Sequence, residues 1–262
     1  MADNKESAKS TRQKAAEARA AAQASERRRE NMIRIVGGIA VLVVVLGIVA
    51  IGVMNRGGND SADPSGSPDA NSALPTGITA DNGYGFQVSA PAGKPVVEVF
   101  EDFQCPACQQ FEAQYGEAMQ SWAQAGDIGL TYRIMTFLDK NLQTDHSLRA
   151  ANAFGCSITA GEGLPYHNTV YANQPANEGD GWTDEQLKQF GTDAGITGEA
   201  KTTFDKCVDD GEYNGWAGLS NQAAFDDKVT GTPTVTVNGQ KVDDAALANE
   251  EALREALTNP QQ

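Results

Sequence analysis

The sequence predicts an α/β domain interrupted by a helical insertion and preceded by one membrane-spanning helix. Three observations carry that prediction. A strand, helix, strand succession holds a C-x-x-C pair at the amino end of its helix; several helical stretches follow between about 141 and 229; and two short apolar strands near the carboxyl end flank an Asn-Gly turn.

Residues 1–34 carry nine Lys/Arg against five Asp/Glu, and residues 35–262 carry eleven against thirty, so a basic segment precedes a strongly acidic remainder. That excess of acid argues against a nucleic-acid binder. Between the two, Ile35–Met54 is twenty residues without a charge, and as a helix it spans about 30 Å, the hydrocarbon thickness of a bilayer. Its exit, Ile51-Gly52-Val53-Met54-Asn55-Arg56, offers no small-x-small cleavage site, so it reads as an uncleaved anchor. Arg27, Arg28, Arg29 and Arg34 precede the span and only Arg56 follows it before Lys94, which keeps the amino terminus in the cytoplasm and places the rest outside. The basic segment serves orientation and contact with lipid headgroups. Residues 55–80, with Gly57, Gly58, Pro64, Gly66, Pro68 and Pro75 among Ser, Asn and Asp, read as a flexible tether, leaving residues 81–262 as the extracytoplasmic domain.

In that domain Pro95 opens the β-branched run Val96–Phe100, read as a buried strand. From Cys108 the apolar positions Phe111, Tyr115, Met119 and Trp122 recur at helical spacing, and Gly126 closes the helix. Ile128–Phe137 reads as a second strand. Within the insertion, helices are expected around His146–Cys156, Leu164–Ala172, Asp184–Ala194, Glu199–Val208 and Trp216–Lys228, with no internal repeat. Thr234–Val237, the pair Asn238-Gly239 and Gln240–Val242 predict a hairpin with a type I′ turn, and a helix over about Ala245–Leu257 ends the fold.

The chemistry centres on Cys105 and Cys108. A thiol is nucleophilic only as the thiolate, which a helix amino terminus favours through its free N–H groups and the positive end of its dipole. Pro106 suits the first helical turn, where its missing N–H costs nothing. Cys108, one turn further in, is expected to be the less exposed sulfur. The same spacing also makes half a zinc site, but Cys156 and Cys207 form no second C-x-x-C, and His146 and His167 lie far from ligand spacing; no metal site is expected.

With these residues in place, the sequence resembles the thioredoxin superfamily, and within it the DsbA-like disulfide oxidoreductases, particularly membrane-anchored actinobacterial forms. The resemblance covers about residues 84 to 258. It rests on Val96–Phe100 leading into Cys105-Pro106-Ala107-Cys108, and on Gly231-Thr232-Pro233 before the hairpin. It implies a thioredoxin fold whose insertion caps the catalytic face, a cis bond at Pro233, and backbone groups of Thr232 presented to a substrate peptide beside Cys105. Similar enzymes carry a buried acid that helps proton transfer at the resolving cysteine, which makes Glu98 a candidate relay; a solvent-facing Glu98 is the plainer alternative, and Glu101 and Asp102 stay open. Ala107 stands where the strongly oxidising enteric type has histidine, which lowers the oxidising power expected here.

Cys156 and Cys207 fall on expected insertion helices, where an oxidising exterior joins nearby thiols. Related actinobacterial proteins show a comparable extra pair, so the resemblance implies a structural staple, with a second redox relay as the alternative. His146 and His167 read as surface or packing histidines, and Trp122, Trp182 and Trp216 as core or surface anchors.

The function expected is that of a membrane-tethered thiol-disulfide oxidoreductase that introduces disulfides into unfolded, cysteine-containing exported proteins. No flavin or quinone motif is present, so the only redox group expected is the Cys105–Cys108 disulfide itself, and a partner must take the electrons. The resemblance implies a membrane quinone reductase of the DsbB or vitamin K epoxide reductase type. An extracytoplasmic reductase or disulfide isomerase is the alternative within the enzyme class. A tethered thioredoxin-like binding or chaperone module, with an inert Cys105–Cys108 bridge, is the alternative outside it.

Overall fold

The computed structural model describes residues 72–260. The basic segment, the anchor expected at 35–54 and most of the tether lie outside those residues. Among the described residues no helix is long and apolar enough to cross a membrane.

A five-stranded mixed sheet forms the centre. Its strands are β1 (Phe86–Ser89), β2 (Val96–Glu101), β3 (Gly129–Ile134), β4 (Thr234–Val237) and β5 (Gln240–Lys241), in the order β1-β3-β2-β4-β5. β2 and β3 run parallel, with Val97 opposite Leu130 and Val99 opposite Tyr132, and every other pairing is antiparallel. Parallel neighbours require a crossover. It is supplied by α1 (Pro106–Phe111), a π-helical turn (Glu112–Gly116) and α2 (Glu117–Gln124), the helix that the Phe111, Tyr115, Met119, Trp122 spacing predicts. All four of those side chains are buried.

β2 is covered on both faces. Val97 and Val99 join the main core with Cys108 and Phe111, while Phe100 belongs to a smaller cluster with Met135, Ala224 and Val229. Side chains alternate along a strand, so Val97, Val99 and Glu101 share the α1 face, and Val96, Glu98 and Phe100 share the other. That alternation decides the identity of the buried acid below.

The insertion consists of α3 (Phe137–Leu142), α4 (His146–Thr159), α5 (Gly163–Ala172), α6 (Asp184–Asp193), α7 (Gly198–Asp210) and α8 (Asn214–Asp226). α4 is its axis: Ala150, Ala151, Ala153 and Phe154 are fully buried, and the helix touches α3, α5, α6, α7 and α8. Small residues let these neighbours close in. A Cβ at Gly155 would stand 2.9 Å from the Tyr213 ring, which leaves no room for alanine there. Cys156 on α4 and Cys207 on α7 are joined in a disulfide, with Cα atoms 5.9 Å apart. Trp122, Trp182 and Trp216 are all buried anchors, and the Trp216 indole N–H donates to the Tyr84 carbonyl at 2.9 Å.

The hairpin turn has Asn238 at φ 50° and Gly239 at φ 77°, both left-handed as a type I′ turn requires. A 3-10 turn (Asp244–Ala248) and α9 (Glu250–Thr258) follow, dividing the single helix expected there. Three further differences separate expectation and structure. The second strand ends at Ile134 instead of Phe137, because the Asp102 carboxylate accepts the Leu138 N–H and starts α3. The edge strand β1 was not expected at all. The tether expected over 55–80 is shorter at its described end: Pro75 and Ile78 are buried, and the Thr76 N–H donates to the Thr159 hydroxyl.

Candidate active site

Cys105 is the N-cap of α1 and Pro106 its first residue, the order the motif predicts. Both cysteines are reduced. Cys105 keeps 7% of its surface accessible and Cys108 none. The Thr232–Pro233 bond is cis, as the resemblance implies, and the Cys105 thiol donates to the Thr232 carbonyl at 3.5 Å. Strand β4 thus brings residues 127 positions distant in sequence against the nucleophile.

The two sulfurs titrate far apart. A hydrogen bond from the Cys108 thiol, aided by Thr232 and by the N–H groups of Cys108 and Ala107, outweighs burial and lowers Cys105 to about 6. Burial, the Cys105 thiolate and the charge of Glu101 all push Cys108 well above the usual thiol range. At neutral pH the pair therefore holds one thiolate, on the more accessible Cys105, and one proton, on the sealed Cys108.

Glu98 is not the buried acid. Its carboxylate lies on the far face of β2, where Arg133 Nη1 donates to it at 2.6 Å, and its side chain is 23% exposed. The acid beside Cys108 is Glu101, which is wholly buried on the α1 face. Its partner is His167 on α5, also wholly buried, whose Nε2 meets Glu101 Oε1 in a short hydrogen bond. His167 was expected to be a surface or packing residue; it is a packing one, boxed by the Phe103, Tyr132, Phe154 and Tyr171 rings, with an acid partner that the sequence did not place. His146 agrees with the surface reading, lying partly exposed beside Arg149 and Asp145.

Glu112, at the start of the π turn, completes the cluster. Glu101, Glu112 and His167 each bring one donor atom within 4.8 Å of the others. The Tyr132 hydroxyl donates to Glu112 at 3.4 Å, and a Cβ at Gly116 would collide with the same carboxylate. Three such groups have the chemistry of a metal site. In this arrangement a hydrogen bond joins His167 to Glu101. Burial, with Glu101 adding, pushes Glu112 up to about 8. Burial opposes a charge on His167, but Glu101 and Glu112 outweigh it and raise the ring to about 9. Asn168 and Gln120 exchange amide hydrogen bonds of 2.9 and 3.0 Å, which turns the Asn168 oxygen toward His167 Nδ1 at 3.1 Å. At neutral pH Glu112 and His167 both hold protons, and Glu101, hydrogen-bonded to His167, is the member of the cluster whose charge acts on Cys108.

A family model for thioredoxin matches residues 82–259. The chain belongs to the thioredoxin family. Comparison with curated proteins finds no match. Among solved structures, this thioredoxin-family chain is similar to MdbA, a thiol-disulfide oxidoreductase from Actinomyces oris, at 25% identity and TM-score 0.61, over 76% of this chain and 99% of that one. It is also similar to DsbG, a disulfide bond oxidoreductase from Mycobacterium tuberculosis, at 26% identity and TM-score 0.56, over 68% and 89% of the two chains. DsbA from the same organism matches at 26% identity and TM-score 0.54, over 67% and 92%. Like these neighbours, the thioredoxin-family domain described here is that of a protein thiol-disulfide oxidoreductase.

Proposed function

We propose that this protein is a disulfide oxidase: held at the outer face of the membrane by residues 35–54, it makes disulfides in unfolded exported proteins through Cys105 and Cys108. The observation that supports this most is the lowered Cys105 thiol over a proton-holding Cys108. A sulfur that is stable as the thiolate is a good leaving group, and stabilising the reduced form of the couple makes the disulfide form oxidising.

In the oxidised couple a substrate thiolate attacks Cys105 Sγ; the Cys105–Cys108 bond breaks and Cys108 leaves as a thiolate. A second substrate thiolate then attacks the substrate sulfur of the mixed disulfide, and Cys105 leaves as a thiolate. Two electrons have passed from two substrate thiols to the couple. Cys108, buried beside Glu101, takes up a proton, and the cluster of Glu101, His167 and Glu112 supplies it. The residues Pro106, Ala107, Thr232 and Pro233 frame the more accessible sulfur, and the Thr232 backbone pairs with an extended substrate peptide. A membrane quinone reductase of the DsbB or vitamin K epoxide reductase type takes the electrons from the reduced couple, with no cofactor of the chain's own beyond that disulfide.

The test is single-turnover oxidation of a reduced dithiol peptide by the oxidised protein. One peptide disulfide per couple is expected. Glu101→Gln is expected to slow the reaction at pH 7 by about a hundredfold, the lower end of what a positioned proton-transfer group contributes. Glu98→Gln, which alters the Arg133 ion pair on the face of β2 away from Cys108, is expected to leave the rate within about twofold. Equal effects of the two substitutions would remove Glu101 from the mechanism.

A further inference from the structure

The loop that carries Cys105 into α1 is tied to the insertion at each of its residues. The Asp102 carboxylate accepts the Ser147 hydroxyl at 2.6 Å and the Leu138 N–H at 3.2 Å, from the first turns of α4 and α3. Gln104 Nε2 donates to Asp139 Oδ1 at 2.8 Å and to Ser147 Oγ at 2.7 Å. The carbonyls of the remaining two residues, Phe103 and Cys105, share one side chain of the insertion, and the Cys105 carbonyl also accepts the Gln109 N–H of α1 at 3.1 Å. Gln174, just past the end of α5, spends both hydrogens of its amide on them: Nε2 donates to the Phe103 carbonyl at 2.7 Å and to the Cys105 carbonyl at 3.1 Å.

Gln174 is itself fixed. The buried Trp182 indole N–H donates to the Asn173 carbonyl at 2.9 Å, and Gln109 Nε2 of α1 donates to the Tyr171 carbonyl at 3.2 Å, so the segment 171–174 is tied on both sides. The chemistry at stake is that of the neighbouring sulfur. A carbonyl oxygen carries partial negative charge, and one left without a donor beside a thiolate works against it. Donors on the Phe103 and Cys105 carbonyls offset that charge and keep the turn in the shape that presents the Ala107 and Cys108 N–H groups to Cys105 Sγ.

We propose that Gln174 is a positioning residue for disulfide exchange: its amide, delivered by the insertion, holds the Phe103 and Cys105 carbonyls so that the thiolate of Cys105 is stabilised at the helix amino terminus. This rests on the exchange reading of the site, and it gives the insertion a part in setting the nucleophile as well as in covering the catalytic face.

The test is the pH profile of Cys105 alkylation, read by mass mapping on the reduced full-length chain in detergent. In the unaltered chain the midpoint is expected near about 6. Gln174→Met, which keeps the reach and removes both donors, is expected to raise it by about half a unit, a threefold loss in ionisation constant. Gln174→Asn, one methylene short of the two carbonyls, is expected to raise it too. The other titratable groups around Cys105, Cys108 on α1 and Tyr171 on α5, are untouched by either substitution. A thermal midpoint unchanged in Gln174→Asn guards against unfolding as the cause. Profiles of both variants that superimpose on the unaltered chain would overturn the role of Gln174. An unaltered chain whose Cys105 titrates like an ordinary thiol, near about 8.5, would instead overturn the exchange reading beneath it.

Discussion

A reduced Cys108→Ser chain, mixed with a peptide that contains a disulfide, is expected to accumulate as a covalent adduct through Cys105, while a Cys105→Ser chain forms none. The reasoning follows from burial and charge. Cys105 is the accessible sulfur and the thiolate at neutral pH; Cys108 is sealed from solvent and keeps its proton. The Cys105 thiolate attacks the peptide disulfide, one peptide sulfur leaves as a thiolate, and the new mixed disulfide persists because no Cys108 thiol is there to displace the peptide. Losing Cys105 is expected to cut exchange by at least roughly a thousandfold, as removal of a nucleophile does elsewhere. Mass analysis without reductant reads both results. Adducts forming on Cys108 in the Cys105→Ser chain, at the rate seen for Cys105, would reverse the assigned roles.

The second large effect lies in the insertion. The Cys156–Cys207 bridge closes a loop of 51 residues between α4 and α7, and on the chain-entropy account a loop of that length restricts the unfolded state by about 4 kcal/mol. A Cys156→Ala/Cys207→Ala chain is therefore expected to unfold roughly 10 °C lower, since about 2–4 °C accompany each kcal/mol in a domain of this size. Its exchange rate below that temperature is expected to stay near that of the unaltered chain. Loss of turnover at an unchanged melting temperature would mark the pair as a redox relay and contradict the structural reading.

What was legible in the sequence was local. The Val96–Phe100 run, the Phe111, Tyr115, Met119, Trp122 spacing and the Asn238-Gly239 pair each encode an element within a few residues, and each element is where they place it. What was hidden depends on distance or on orientation. β1 is a four-residue edge strand that owes its existence to pairing with β3, 41 or more positions later along the chain, Ser89 with Leu130 being the shortest of these links. The apolar run through Met135 and Phe137 continues past the point where Asp102 caps α3, so periodicity alone extends the strand too far. Glu98 and Glu101 differ in the face of β2 they occupy, and only packing decides which face carries α1. The His167–Glu101 pair joins residues 66 positions apart, with no spacing to announce it.

The central claim is that Cys105 and Cys108 form an exchanging couple poised to oxidise. The measurement that tests it most directly is equilibration of the couple against glutathione buffers of graded ratio, with Cys156–Cys207 distinguished by mass mapping. The oxidase account predicts a potential of roughly −120 to −180 mV, among the protein oxidants. A value near about −270 mV, the thioredoxin range, or a couple that never exchanges, would contradict the oxidase account.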